Sequence, residues 1–122
     1  LFEIPELGVQ FTLTEPLTGL YYYADPAYPQ GVYFSLEEFS GTECAADSTS
    51  IAALSRATEA ELAADEIRGE AIKASARVID GFYFYAEGAQ AACSDDEQIQ
   101  AKVSATRSEL LRILPAELQP LE

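Results

Sequence analysis

The chain has no histidine, methionine or tryptophan, two cysteines, and seven Lys plus Arg against 21 Asp plus Glu. Each scarcity removes a class of chemistry. Without histidine, the commonest general base and the usual partner of a Ser or Cys nucleophile are missing, which argues against triad hydrolysis and against a mixed Cys/His zinc site. A Ser-x-x-Lys pair is missing too, because the positions three before Lys73 and Lys102 are Glu70 and Ile99. The seven glycines form neither a G-x-G-x-x-G nor a Walker pattern, so no loop is marked out to cradle a phosphate. A net charge of -14 repels phosphate backbones and anionic lipid surfaces, and nucleic acid is not an expected partner. No apolar run approaches the roughly 18 to 20 residues that span a bilayer, so direct membrane insertion by this segment is not expected. With no Met and a start at Leu1, the chain reads as a processed or truncated product whose anchor or signal peptide lay upstream.

What is present describes one α+β domain over residues 1–122, long enough to bury a real hydrophobic core. The pattern predicts an antiparallel sheet of about five to six strands, packed by a long C-terminal helix and one or two short helices. Extended pieces are expected at Phe2–Ile4 and Val9–Leu13, the second alternating buried Val9, Phe11 and Leu13 with exposed Gln10 and Thr12. Leu20–Ala24 is expected to pair with the strand before it, and Gly31–Ser35 to follow a loop stiffened by Pro26 and Pro29. Ser35-Leu36-Glu37-Glu38 reads as one capped helical turn. Ile51–Ala57 fits helix or strand; the Thr58-x-x-Glu61 capping box, which starts a helix only at Thr58, favours strand. That helix is expected to reach Arg68 and stop at Gly69, with 70–76 left open. Arg77–Ala86 is dense in aromatic and β-branched residues and is expected to be a single central strand. Ser94 and Glu97 then resemble a second capping box, opening a helix that carries Ile99, Val103, Leu110 and Leu114 on one face and ends at Pro115.

The two cysteines, Cys44 and Cys93, lie 49 positions apart and form no C-x-x-C pair. Both sit in polar, turn-like contexts where no apolar face would bury a lone thiol, which favours a disulfide and an oxidising compartment. The other reading is two free buried thiols in a cytosolic protein.

Three groups of side chains are candidates for function. Tyr21, Tyr23, Tyr28 and Tyr33, with Tyr22 and the nearby prolines, can make an aromatic platform for a glycan or peptide; ordinary sheet packing competes with that role. Because strand side chains alternate, Tyr21 and Tyr23 must face away from Tyr22. Asp95, Asp96 and Glu97, joined by Asp47, offer carboxylates to calcium, against the simpler role of helix capping. The strand near Leu1 is a candidate open edge, protected in the competing reading by Pro5 and flanking glutamates. Acid pairs able to hydrolyse a glycoside are expected by abundance alone.

Four stretches carry a resemblance: Leu7-Gly8-Val9-Gln10-Phe11-Thr12-Leu13, Ala53-Leu54-Ser55-Arg56-Ala57-Thr58, Asp80-Gly81-Phe82-Tyr83-Phe84-Tyr85 and Gln90-Ala91-Ala92-Cys93-Ser94. Together they resemble the small, uncharacterised, membrane-tethered extracytoplasmic domains of bacteria with reduced genomes. The resemblance implies an N-terminal anchor and a disulfide between the matching cysteines, and supplies neither substrate nor catalytic residue. In architecture alone the chain is similar to the PsbP-like α/β/α sandwich. The resulting expectation is a non-enzymatic interaction or structural domain at the cell surface, needing no cofactor and meeting another surface protein or a glycan. The alternative is a glycan- or peptide-binding module using the tyrosine-rich sheet face.

Overall fold

The structure is a computed structural model and describes residues 1–42, 44, 51–88 and 93–121. It is α+β, with two antiparallel sheets. β1 (Phe2–Ile4), β2 (Val9–Phe11) and β8 (Gln119–Pro120) form a three-stranded sheet in the order β1-β2-β8. β3 (Leu20–Asp25), β4 (Tyr28–Leu36), β5 (Ala52–Ala57), β6 (Arg77–Ile79) and β7 (Phe82–Gly88) form a five-stranded sheet in the order β3-β4-β5-β7-β6. Among the described residues, three helices complete the fold: α1 (Glu59–Ala64), α2 (Gly69–Ser75) and the long α3 (Glu97–Ile113).

The principal core lies between the inner face of the large sheet, the small sheet and α3. Phe34, Leu36, Leu54 and Phe84 point into it from the large sheet, Ile4, Val9 and Phe11 from the small one, and Val103, Leu110 and Ile113 from α3; all are buried. Aromatic rings join the two sheets, with Phe2 5.2 Å from Phe11 and 5.8 Å from Tyr22, and Phe11 6.3 Å from Phe34 in an edge-on contact. A Cys44–Cys93 disulfide, its Cα atoms 5.2 Å apart, ties the segment after Phe39 to the approach to α3. Cys44 is buried in this core despite its polar neighbours in sequence.

Several local expectations change for identifiable reasons. Leu20–Asp25 pairs with β4 and not with Val9–Phe11, because a 3-10 turn at Glu15–Leu17 carries the chain from one sheet to the other. Gln10 is buried, since β8 lies beside it and its side-chain amide donates to the Pro120 carbonyl at 3.3 Å. Ser35 stays in β4, and the turn after it is a 3-10 turn at Glu37–Phe39 with no side-chain cap. The aromatic run at 77–86 is a hairpin: Asp80 (φ 51°) and Gly81 (φ 83°) both enter the left-handed region that a two-residue loop needs. Asp96, not Ser94, caps α3, accepting from the Gln98 and Ile99 amides; Ser94 instead accepts from Asp96 N–H at 3.0 Å.

The Thr58–Glu61 capping box forms as expected, Glu61 N–H reaching Thr58 Oγ1 at 3.2 Å and Thr58 N–H reaching the Glu61 carboxylate at 2.8 Å. α1 nevertheless ends at Ala64, and Gly69 begins a helix where a stop was expected. A Cβ on Gly69 would lie 1.9 Å from the Leu62 carbonyl oxygen, so only glycine lets α2 close against the end of α1.

Two outcomes follow. Replacing both cysteines (C44S/C93S) lowers unfolding free energy by about 2–5 kcal/mol in urea titration, the range for a native bond of this kind in a small domain. Gly69→Ala, read by hydrogen exchange, raises exchange in α1 and α2 while leaving β2 and α3 protected, because the clash is confined to the helical pair.

Candidate functional site

The outer face of the large sheet is set by the strand register. Tyr23, Tyr33, Ala53 and Glu87 form one cross-strand row, and Gly31, Ser55 and Tyr85 the next. Their neighbours Phe34, Leu54 and Phe84 point the other way into the core, as the pleat requires. α1 and α2 lie over part of this outer face, where Ala57, Leu62 and Ile72 are buried and Tyr83 and Tyr85 pack against them.

Beside the helical pair is a hollow of about 300 Å³ lined by Tyr28, Tyr33, Ala53, Ser55, Tyr85, Arg68 and Glu87. Its floor is made of small β5 side chains, its walls of three tyrosines and its rim of an ion pair. Tyr28 reaches this face because β4 is irregular near its start, with the register slipping between Tyr23 and Asp25, and because Gly31 leaves room. A Cβ at Gly31 would come within 2.7 Å of the Tyr28 ring and 2.9 Å of Ser55 Oγ. Burial first, then the neighbouring Tyr28 hydroxyl, pushes the Tyr85 phenol up to about 12.

The rim is built from a loop. Asp65 Oδ1 accepts from Ile67 N–H at 3.2 Å and Arg68 N–H at 2.9 Å, a compact turn from which the Arg68 guanidinium bonds Glu87. The Glu87 carboxylate, with the bond it accepts, raises the Arg68 pKa. Arg68, Tyr85 and Glu87 also line a larger cleft of about 570 Å³ running along α2 past Ile67, Ala71, Ile72 and Ser75 to Ala86 and Gly88. Hollow and cleft therefore meet at these three side chains.

No family model, curated protein or solved structure matches the chain.

Of the four tyrosines singled out in the sequence, Tyr28 and Tyr33 line the hollow. Tyr23 stacks on Tyr33, ring centres 5.5 Å apart and planes inclined by 29°. Tyr21 shares their face, opposite Ser35, but does not line the hollow. Tyr22 faces inward and donates to a Glu6 carboxylate oxygen at 2.8 Å; burial and this bond push its phenol up to about 12. Nothing in the local sequence of Tyr85, Arg68 and Glu87 marks them as neighbours of Tyr28 and Tyr33: Tyr85 and Glu87, more than 50 positions away, are joined to them by the sheet order β4-β5-β7, and Arg68 by its bond to Glu87.

The acidic group at the start of α3 is engaged in capping through Asp96. Asp47 lies outside the described residues. Among the described residues, no cluster of three or more His, Cys, Asp or Glu is placed to hold a metal ion. β1 forms an edge of the small sheet, a position that fits the open and the protected reading alike.

Both raised phenols favour the folded state only while protonated. Their folded pKa values exceed the ordinary 10.0, so the stability they contribute is complete below that pH and is lost as pH rises from there toward about 12. Denaturant midpoints measured across this window fall for the parent chain, and the fall is shallower in Tyr22→Phe and Tyr85→Phe.

Proposed function

We propose that this chain is a non-enzymatic extracytoplasmic interaction domain that binds a polypeptide partner through the tyrosine-walled hollow on the outer face of its large sheet. The hollow carries the proposal. Tyrosine offers large, rigid area with a polar tip, and tyrosine and arginine are the residues that dominate protein recognition sites. Here three tyrosines converge over a floor of Ala53 and Ser55, with Arg68 and Glu87 at hand for polar contacts. Glu87 is already engaged by Arg68, which holds both groups in place at the rim for polar contacts.

The disulfide is compatible with an oxidising compartment, and among the described residues no helix is long and apolar enough to cross a membrane. Placement at a bacterial cell surface, tethered through a segment outside these 122 residues, belongs to the same proposal and draws on the resemblance to membrane-tethered domains. The flat Tyr23–Tyr33 stack favours a second reading, in which a neutral saccharide ring lies against the aromatic face.

The test is parallel binding to a displayed peptide library and a glycan array, with Tyr33→Ala and Tyr28→Ala as controls. Peptide binding weakened about ten-fold or more by either substitution is the expected result, the loss typical of a recognition-site tyrosine. Glycan binding with the same sensitivity replaces the polypeptide with a saccharide. Absence of both at millimolar ligand retires the face as a binding site.

A further inference from the structure

The large sheet ends unevenly. β6 pairs only with Phe82–Phe84 of β7, yet β7 continues to Gly88. In a two-residue hairpin the residues flanking the loop exchange both backbone bonds, so Ile79–Phe82 is a bonded pair and so is Arg77–Phe84. The alternation then turns the backbone N–H and C=O of Tyr85 and Glu87 toward β5, and those of Ala86 and Gly88 toward the side away from β5. Among the described residues, no strand lies against that stretch. In the direction in which β6 would have extended along β7, the chain is instead coiled into α2, immediately before β6.

Both flanks of this short edge offer apolar contacts beside polar groups, Arg68 and Glu87 on the outer side and Arg107 on the inner. On the outer side is the cleft of about 570 Å³ bounded by Ala71, Ile72 and Ser75 of α2 and by Ile67, which is 93% exposed at its lip. On the inner side the Arg107 stem and Leu111 lie so close that a Cβ on Gly88 would meet them at 2.8 and 3.2 Å. Arg107 is fixed there by its bond to the Ile51 carbonyl at 2.9 Å, and Leu111 is 39% exposed.

We infer that the Tyr85–Gly88 edge of β7 takes an extended, cationic polypeptide segment as an added strand. The edge selects the class of ligand, since alternating N–H and C=O groups at strand spacing are matched by another polypeptide backbone. Side chains of an added strand point alternately to opposite sides, one set onto α2 and Ile67 and the other onto Leu111. The net charge of -14 attracts a segment carrying lysine or arginine and disfavours an acidic one. The cleft opens into the tyrosine hollow at Tyr85, so one side chain of the same ligand can enter it. The inference rests on the reading of this face as a polypeptide-binding surface and adds the mode of binding.

The experiment selects binders to the whole chain from a displayed library of random heptapeptides, then maps the strongest by amide chemical shifts. Strand addition is supported by enrichment of basic, β-branched sequences that shift the Ala86 and Gly88 amides and lose binding when alternate peptide amides are N-methylated. Ser75→Arg, an exposed change on α2 that narrows the cleft and adds like charge, is expected to weaken such peptides about ten-fold or more. Binders that perturb only Tyr28 and Tyr33, tolerate N-methylation and ignore Ser75→Arg overturn strand addition while leaving the polypeptide reading intact. A selection that yields no binder, with the chain shown folded by its amide spectrum, overturns both.

Discussion

Burial of the inner face of the five-stranded sheet, against α3 on one part and the three-stranded sheet on the other, is the interaction on which the rest depends. Phe11, Phe34 and Phe84 are fully or almost fully buried there, and Phe2 and Tyr22 close the seam between the sheets. Once that face is committed to the core, pleating forces Tyr23, Tyr33, Ser55, Tyr85 and Glu87 to the other side. The α1–α2 pair, six and seven residues long, covers only part of what is exposed in this way. The hollow and the cleft are the uncovered remainder, so the candidate site is a by-product of where the helical pair stops.

Charged contacts then shape the edges without supporting the centre. Arg56 lies 4.2 Å from the Phe82 ring centre and bonds Gln30, closing one end of the inner face. Glu109 accepts from Thr14 at 2.5 Å and from Arg112, and these bonds, the Arg112 one first, pull its carboxyl down to about 2. Lys73 sits 5.7 Å from the Tyr83 ring centre and 3.5 Å from Glu59, bracing the helical pair over the sheet. Each pair keeps at least one partner in contact with water, where ion pairs contribute little to stability. With acids in threefold excess over bases, most carboxylates are left to water, and the few cations are placed where they do structural work on the rims.

Local rules written in one stretch of chain were legible in the sequence, and rules requiring two distant stretches were not. The class, the Thr58 capping box, β5, α3 and the separation of Tyr22 from Tyr21 and Tyr23 all follow from spacing over a few residues. The hairpin at Asp80-Gly81 was written there too, as an Asp-Gly pair, but the unbroken aromatic run around it masked the turn. Gly69 shows the ambiguity of a single glycine: the same residue marks a helix stop or a close approach, and only the position of the Leu62 carbonyl decides between them. The division into two sheets was beyond reach, because Gln119–Pro120 becomes a strand only through pairing with β2, over a hundred residues earlier. For the same reason the tyrosines of β3 and β4 could be named as candidates, while Arg68, Tyr85 and Glu87 could not be assigned to them.

The small sheet brings β1 and β8 onto either side of β2, and Leu121 N–H reaches the Gly8 carbonyl at 3.0 Å. The first and last described residues therefore leave from the same layer, on the core side of the large sheet. The tyrosine hollow opens from the opposite side. A linker joined to either end would approach from behind, and a neighbouring domain or a surface holding that linker would leave the aromatic mouth facing outward, free of its own attachment.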